Sequence, residues 1–188
     1  MLKVTRARWG RSLVAGIAIT ITIAAGAIGT AVVPQPLNAS EALEKGASGL
    51  PLPRFVSLGS STVNVRRGPS TRHKVKWTFR KAGLPVEVVR EFGNWRRVRD
   101  AEGEEGWVHH QLLSGRRTVL VSPWSDDDKI PLRAEAKATS RPKAYLEPLV
   151  LASVERCDGF WCTISGTGWR GHIPQRLLWG VYPKEIVD

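Results

Sequence analysis

The side chains of this chain that offer chemistry beyond packing are two cysteines, four histidines, three consecutive aspartates and eight tryptophans. Cys157 and Cys162 flank Asp158-Gly159, a turn signal set between strand-like residues. A hairpin there places the two sulfurs on facing strands, which reads as a disulfide in an oxidising compartment. Zinc is a poor alternative, because a structural site wants four ligands and no histidine is near in sequence. A redox pair is equally poor, since the spacing is C-x4-C rather than C-x-x-C. The histidines are His73, His109, His110 and His172. His109 and His110 are adjacent and would point to opposite faces of a strand, so they suit solvent better than one metal ion. Asp126-Asp127-Asp128 lacks the alternating spacing of a calcium loop and reads as a solvated linker. No phosphate-cradling glycine loop is present. The chain is therefore expected to be no enzyme, and to hold no metal and no cofactor.

Binding chemistry is better represented. Arg66, Arg67, Arg72, His73, Lys74 and Lys76 surround Trp77, and Arg96, Arg97 and Arg99 follow Trp95. Alternate strand residues share a face, so Arg97 and Arg99 form one ridge. Exposed indoles beside guanidinium groups suit sugar–peptide polymers, with rings stacking on sugar faces and cations pairing with carboxylates. The candidate ligand-binding set is Arg66, Arg67, Arg72, Trp77, Arg97 and Arg99; the competing reading is a merely solvated basic surface. Trp77, Trp124, Trp169 and Trp179 lie outside the repeated blocks described below and are freer to be exposed.

The compartment follows from the N-terminus. Met1 to Arg11 carries four basic residues, and residues 12–33 form an uncharged, mostly apolar run followed by Pro34 and Pro36. A basic start, an apolar middle and small residues afterwards make a secretory signal. A run of this length also suffices to span a bilayer, so residues 1–42 read as a signal peptide or a membrane anchor. Either way the body is exported, to the periplasm or cell envelope, and its membrane contact is through residues 12–33 if these are uncleaved. Beyond residue 42 there remain 24 basic and 16 acidic side chains, a net of +8. That charge favours an anionic partner, and export disfavours nucleic acid.

The elements that must position these residues are short. Residues 43–53 read as a linker rich in small residues and turn formers. Beyond it, strand candidates at Thr62–Arg66, Val86–Glu91, Trp95–Arg99 and Gly106–His109 alternate with turns, the pattern of an all-β barrel. The chain also repeats itself. Val63-Asn64-Val65-Arg66 returns as Ile130-Pro131-Leu132-Arg133, and Gly93-Asn94-Trp95 returns as Gly159-Phe160-Trp161. Gly106-Trp107-Val108 returns as Gly171-His172-Ile173. Two modules follow, at 54–120 and 121–183, with 184–188 as a tail.

The first module resembles a bacterial SH3-like (SH3b) domain. Its opening strand stands as Val63-Asn64-Val65-Arg66-Arg67-Gly68-Pro69-Ser70, its middle motif as Gly93, Trp95 and Val98, and its closing motif as Gly106, Trp107 and Val108. The second module keeps Trp161 but departs elsewhere: Ala136 falls near the opening Gly-Pro, and His172 replaces the closing Trp. The resemblance implies two small SH3-like β-barrels in tandem, and a partner that is peptidoglycan, its peptide stems or another envelope protein. Gly68, Pro69, Trp95, Val98, Gly106, Trp107 and Trp161 are then structural motif positions.

Overall fold

The computed structural model describes residues 44–126 and 129–188. The expected leader, 1–42, and Asp127-Asp128 lie outside the described residues. The described body is built of short antiparallel strands and two 3-10 turns. A small hairpin, β1 (Glu44–Lys45) with β2 (Pro51–Leu52), comes first, within the stretch expected to be a linker. The first sheet then comprises β3 (Arg54–Leu58), β4 (Val63–Arg66), β5 (Val75–Phe79), β6 (Pro85–Phe92), β7 (Trp95–Arg99), β8 (Glu105–His109) and β9 (Leu113–Ser114). The second comprises β10 (Thr118–Val121), β11 (Ile130–Arg133), β12 (Pro142–Leu146), β13 (Leu151–Asp158), β14 (Trp161–Gly166), β15 (Trp169–Pro174) and β16 (Leu178–Trp179). The last strand, β17 (Ile186–Val187), pairs with β13, so the expected tail is part of the second sheet.

Strand order confirms the repeat. The first sheet runs β5-β4-β8-β7-β6-β3-β9 and the second β12-β11-β15-β14-β13-β10-β16, the same path with each strand replaced by its counterpart. The second copy opens at β10, so it starts at Thr118, ahead of the division at residues 120 and 121. Each sheet wraps its own core through period-2 alternation. Val63, Val65, Val86, Val88, Val98 and Val108 fill the first; Ile130, Leu132, Ile164 and Ile173 are among those filling the second.

Trp95 and Val98, three apart on β7, fall on opposite faces. Val98 is in the core, whereas Trp95 is half-buried on the outer side, with its ring edge-on to His109 at 5.5 Å. A bulge lies on the neighbouring strand, between Val88 and Arg90, and recurs in copy two between Val154 and Arg156. Gly106 sits where an added Cβ would fall 2.4 Å from Val65 Cγ1, and Gly171 where it would fall 2.6 Å from Leu132 Cγ. The closing glycine thus lets one strand pass tightly over the opening strand in both copies.

Below the bulge, the two copies fasten one cross-strand pair by different chemistry. In copy two the pair is Cys157 and Cys162, bonded as a disulfide and fully buried. In copy one the corresponding pair is Glu91 and Arg96, an ion pair at 3.1 Å. An added segment covers each: β17 pairs with Cys157 and Asp158, while the β1–β2 hairpin hydrogen-bonds to Glu91 through Ser48. Reducing the disulfide opens only a short loop, and is expected to lower stability by about 2 kcal/mol. A urea titration with and without reductant reads this as a lower midpoint.

β3 and β10 are equivalent strands, and their faces turned away from their own cores meet each other. Phe55, Ser57 and Thr118 are all buried there. The Thr118 hydroxyl donates to the Gly83 carbonyl at 2.6 Å and lies 2.6 Å from the Ser57 hydroxyl. Phe55 packs edge-on against Trp179 at 5.1 Å, and against Tyr182 at 4.7 Å. These contacts join the barrels into one compact body with a shared aromatic seam.

Candidate functional site

The sequence-derived binding set is divided by the fold. Val65 faces Trp77 across the β4–β5 pair, and Val65 is core, so Trp77 turns inward. Its ring packs edge-on to Phe79 at 5.9 Å, and Lys76 Nζ stands 4.9 Å over it. The cluster expected around an exposed Trp77 is therefore split, because Arg66, next to core Val65 on β4, lies on the opposite face of the sheet. Arg66 instead neighbours Trp107, which neighbours Arg97, giving a row Arg66–Trp107–Arg97 across the outer face of β4, β8 and β7. Trp107 is half-buried in that row. Arg67 and Arg72 are exposed on the β4–β5 loop, and Arg66 Nη1 donates to the His73 carbonyl at 2.8 Å.

The ridge of Arg97 and Arg99 exists but is not free. Glu105 accepts from Arg97 at 2.8 Å and from Arg99 at 2.9 Å, and Arg99 also reaches Glu87 at 3.1 Å. Charge on this face is largely spoken for. In copy two the row becomes Arg133–His172–Thr163, with no indole.

A stronger concentration of exposed aromatic surface lies at the seam. A cavity of about 700 Å³ opens beside Phe55, with walls from both barrels and from the segment after β16. Trp124 and Phe160 stand at it 58% and 73% exposed, which is high for such apolar rings. Phe160 occupies the β13–β14 turn, where copy one has Asn94. Trp179 and half-buried Trp161 lie deeper. Arg176 and Lys184 are exposed at the rim and make no ion pair among the described residues.

The wall formed by Val181–Lys184 is held firmly. Gln175 donates its amide to the carbonyls of Tyr182, at 2.6 Å, and Glu185, at 3.0 Å. Arg117 grips Glu185 with two bonds, at 2.7 and 3.0 Å, and donates to the Gly180 carbonyl at 2.9 Å. Tyr182 then donates its hydroxyl to Glu87 of the first barrel at 2.9 Å. Burial, followed by the Glu87 charge and this hydrogen bond, drives the phenol far above its ordinary value, so it stays a donor.

Of the tryptophans freer to be exposed, Trp124 is exposed, whereas Trp77, Trp169 and Trp179 are half-buried. Phe160 and the C-terminal wall were missed by sequence reasoning. The one signal was the substitution of Phe for Asn in a turn, where a large apolar side chain has no packing reason.

The sequence profile described as "Bacterial SH3 domain" matches this chain twice, over 59–115 and 126–180. The chain belongs to the bacterial SH3 domain family. The two matched stretches hold β4 to β9 of the first sheet and β11 to β16 of the second, with Gly106 and Gly171 inside them. No curated protein matches the chain. Among solved structures, a chain described as NlpC1 from Trichomonas vaginalis is similar at 17% identity with a TM-score of 0.30. The likeness covers 72% of this chain and 48% of that one, so this SH3 protein spans about half of its neighbour's length.

Proposed function

We propose that this is an exported, non-catalytic envelope protein whose paired SH3 modules bind peptidoglycan or its peptide stems. The observation that carries the reading is the seam cavity, where exposed Trp124 and Phe160 adjoin Arg176 and Lys184, cations without an ion pair among the described residues. Such a site gains by burying ring faces and by pairing charge with an anionic polymer. Membership of the bacterial SH3 family supports a cell-wall-associated binding role. The buried disulfide supports an oxidising compartment, in keeping with the leader-like N-terminus.

Co-sedimentation of the purified protein with peptidoglycan sacculi across a salt series tests this. Saturable binding that weakens from about 50 mM to 500 mM salt is expected, since exposed charge pairing is screened over a few ångströms at the higher value. No muropeptides should be released. Absence of binding at the lowest salt would overturn the wall reading. A second reading, an adaptor for another envelope protein, is favoured by the sheet edge at β12, where Tyr145 is 59% exposed. It calls for capture of a defined protein in preference to sacculi.

A further inference from the structure

We infer that the outer face of the first barrel is a binding site of its own, for an acidic polysaccharide, a sugar chain whose own rings carry carboxylates. Strand register builds it. Phe92 pairs with Trp95, and Trp95 with His109, so three rings stand in a row across β6, β7 and β8. Two residues along the same strands, Arg97 is opposite Trp107 and Trp107 opposite Arg66. Directly opposed residues share a face, so rings and guanidinium groups lie side by side on one surface. None of these side chains lines the seam cavity. Phe92 is 63% exposed, and the Trp95 and His109 rings meet at 89°, forming a corner. Among the described residues packed against the first core, neither Trp95 nor Trp107 is found, so core packing does not account for them.

A bank of cations borders the rings. Arg66 Nη1 donates to the His73 carbonyl at 2.8 Å, which holds the β4–β5 loop against the Arg66–Trp107 row. That loop exposes Arg67, Arg72 and Lys74, with no acidic residue from 66 to 74, and none of the three makes an ion pair among the described residues. Copy two dismantles the same surface. Asp158 stands in the place of Phe92, Pro174 in that of His109 and Thr163 in that of Arg97, and its loop pairs Glu135 with Lys137 at 3.3 Å. What one copy keeps and the other drops is not a requirement of the barrel. The combination selects the ligand. Rings cover the apolar faces of sugars, and guanidinium forks take carboxylates. Exposed Asn94, His110 and Gln111 bring planar polar groups for hydroxyls to the ring end, where the His110 N–H donates to the Asn94 carbonyl at 2.9 Å. A neutral glycan would leave the cation bank unmatched. An oligonucleotide would match charge and rings, but the leader-like N-terminus reads against it.

The test uses the purified full chain with an oligogalacturonate, the same oligosaccharide with its carboxyls reduced to alcohols, a single-stranded oligonucleotide of matched charge, and peptidoglycan sacculi. Calorimetry at about 50 mM salt should show the oligogalacturonate binding, less tightly as salt is raised. Its carboxyl-reduced form should bind about tenfold more weakly. Phe92→Ala, which removes an exposed ring, should weaken the acidic oligosaccharide about fivefold or more. Arg67→Gln, Arg72→Gln and Lys74→Gln together should weaken it about tenfold or more. Taking the same charge from copy two, with Arg141→Gln, Lys143→Gln and Arg156→Gln, should change it by less than about threefold. All these cations are exposed, so neither triple variant disturbs a core. Equal losses from the two triple variants would reduce the effect to net charge and overturn the site. An unchanged affinity in Phe92→Ala would overturn the ring row as its floor. Oligonucleotide binding as tight as that of the oligosaccharide would overturn the sugar assignment. Sacculi keep this inference apart from the wall reading. Failure of the oligogalacturonate with sacculi still bound strikes the polysaccharide site alone, whereas loss of sacculi with the oligogalacturonate still bound strikes the wall reading alone.

Discussion

Replacing Gly180 by alanine is expected to destabilise the protein by about 3 kcal/mol or more, a sum of backbone strain and overpacking. Gly180 has φ +120°, a region that side-chain-bearing residues rarely enter. A Cβ there would stand 2.4 Å from the Thr118 carbonyl oxygen and 3.1 Å from Val119 Cα. Both obstacles are backbone atoms of β10, which is paired on one side with β13 and on the other with β16, so neither can step aside. The position is where the chain leaves β16 and crosses β10 to become the wall of the seam cavity. Urea unfolding followed by far-ultraviolet circular dichroism should show the lower midpoint. Gly115→Ala is the control: its Cβ meets nothing within 4 Å and its φ is not in the left-handed region. It should move stability by less than about 0.5 kcal/mol. Equal effects at the two positions would remove the steric explanation.

The second large effect is expected in acid, and it resides in Glu91. Its side chain is only 1% exposed and meets Arg54 at 2.7 Å and Arg96 at 3.1 Å. The Ser48 backbone N–H and hydroxyl each donate to it at 2.7 Å. Burial alone would raise its pKa, but the two Ser48 bonds, the Arg54 bond and the Arg96 charge together outweigh burial and bring it down from 4.5 to about 2. The folded-state value is thus the lower one. The stabilisation is fully present above pH 4.5 and is lost as pH falls toward 2. A shift of that size corresponds to about 3 kcal/mol. Urea midpoints measured from pH 6 to pH 2 should fall steeply below pH 4.5. Glu91→Gln should be less stable at neutral pH and should lose much of the slope, while exposing residues 44–52 to protease. Asp100, whose carboxyl is raised first by burial and then by the charges of Glu102 and Glu104, works in the opposite direction. The comparison with Glu91→Gln isolates the Glu91 contribution. A variant retaining the full acid sensitivity would assign it to other groups.

Glu91 and Cys157 show how a repeat can keep a position and change its chemistry. Both sit below the same bulge, both pair across the same hairpin, and both are covered by an appended segment. Copy one secures the place with a buried charge network, which is strong while complete and costly once one member is removed. Copy two secures it covalently. The weaker sequence motifs of copy two do not loosen its sheet, because the disulfide and β17 close the same region.

What the sequence determined by itself was local and periodic. Alternation marked β4, β6, β7 and β8 to within about a residue, because a half-buried strand writes its burial pattern directly into its residues. The blocks around Trp95 and Trp161 announced the tandem modules, and Asp158-Gly159 announced the hairpin that brings Cys157 to Cys162. The tertiary structure alone decided which side chains are left for a partner. Trp77, rich in cationic neighbours along the chain, turns inward because its register partner is core Val65. The Arg97–Arg99 ridge is occupied by Glu105 and Glu87, which cross-strand pairing and long side chains bring into reach. The seam cavity draws on residues from Phe55 to Lys184, joined only when β3 and β10 present their outer faces to each other. Periodicity reports which face of a strand is buried. It carries no information about what buries that face, and a site made between two barrels depends on the second question.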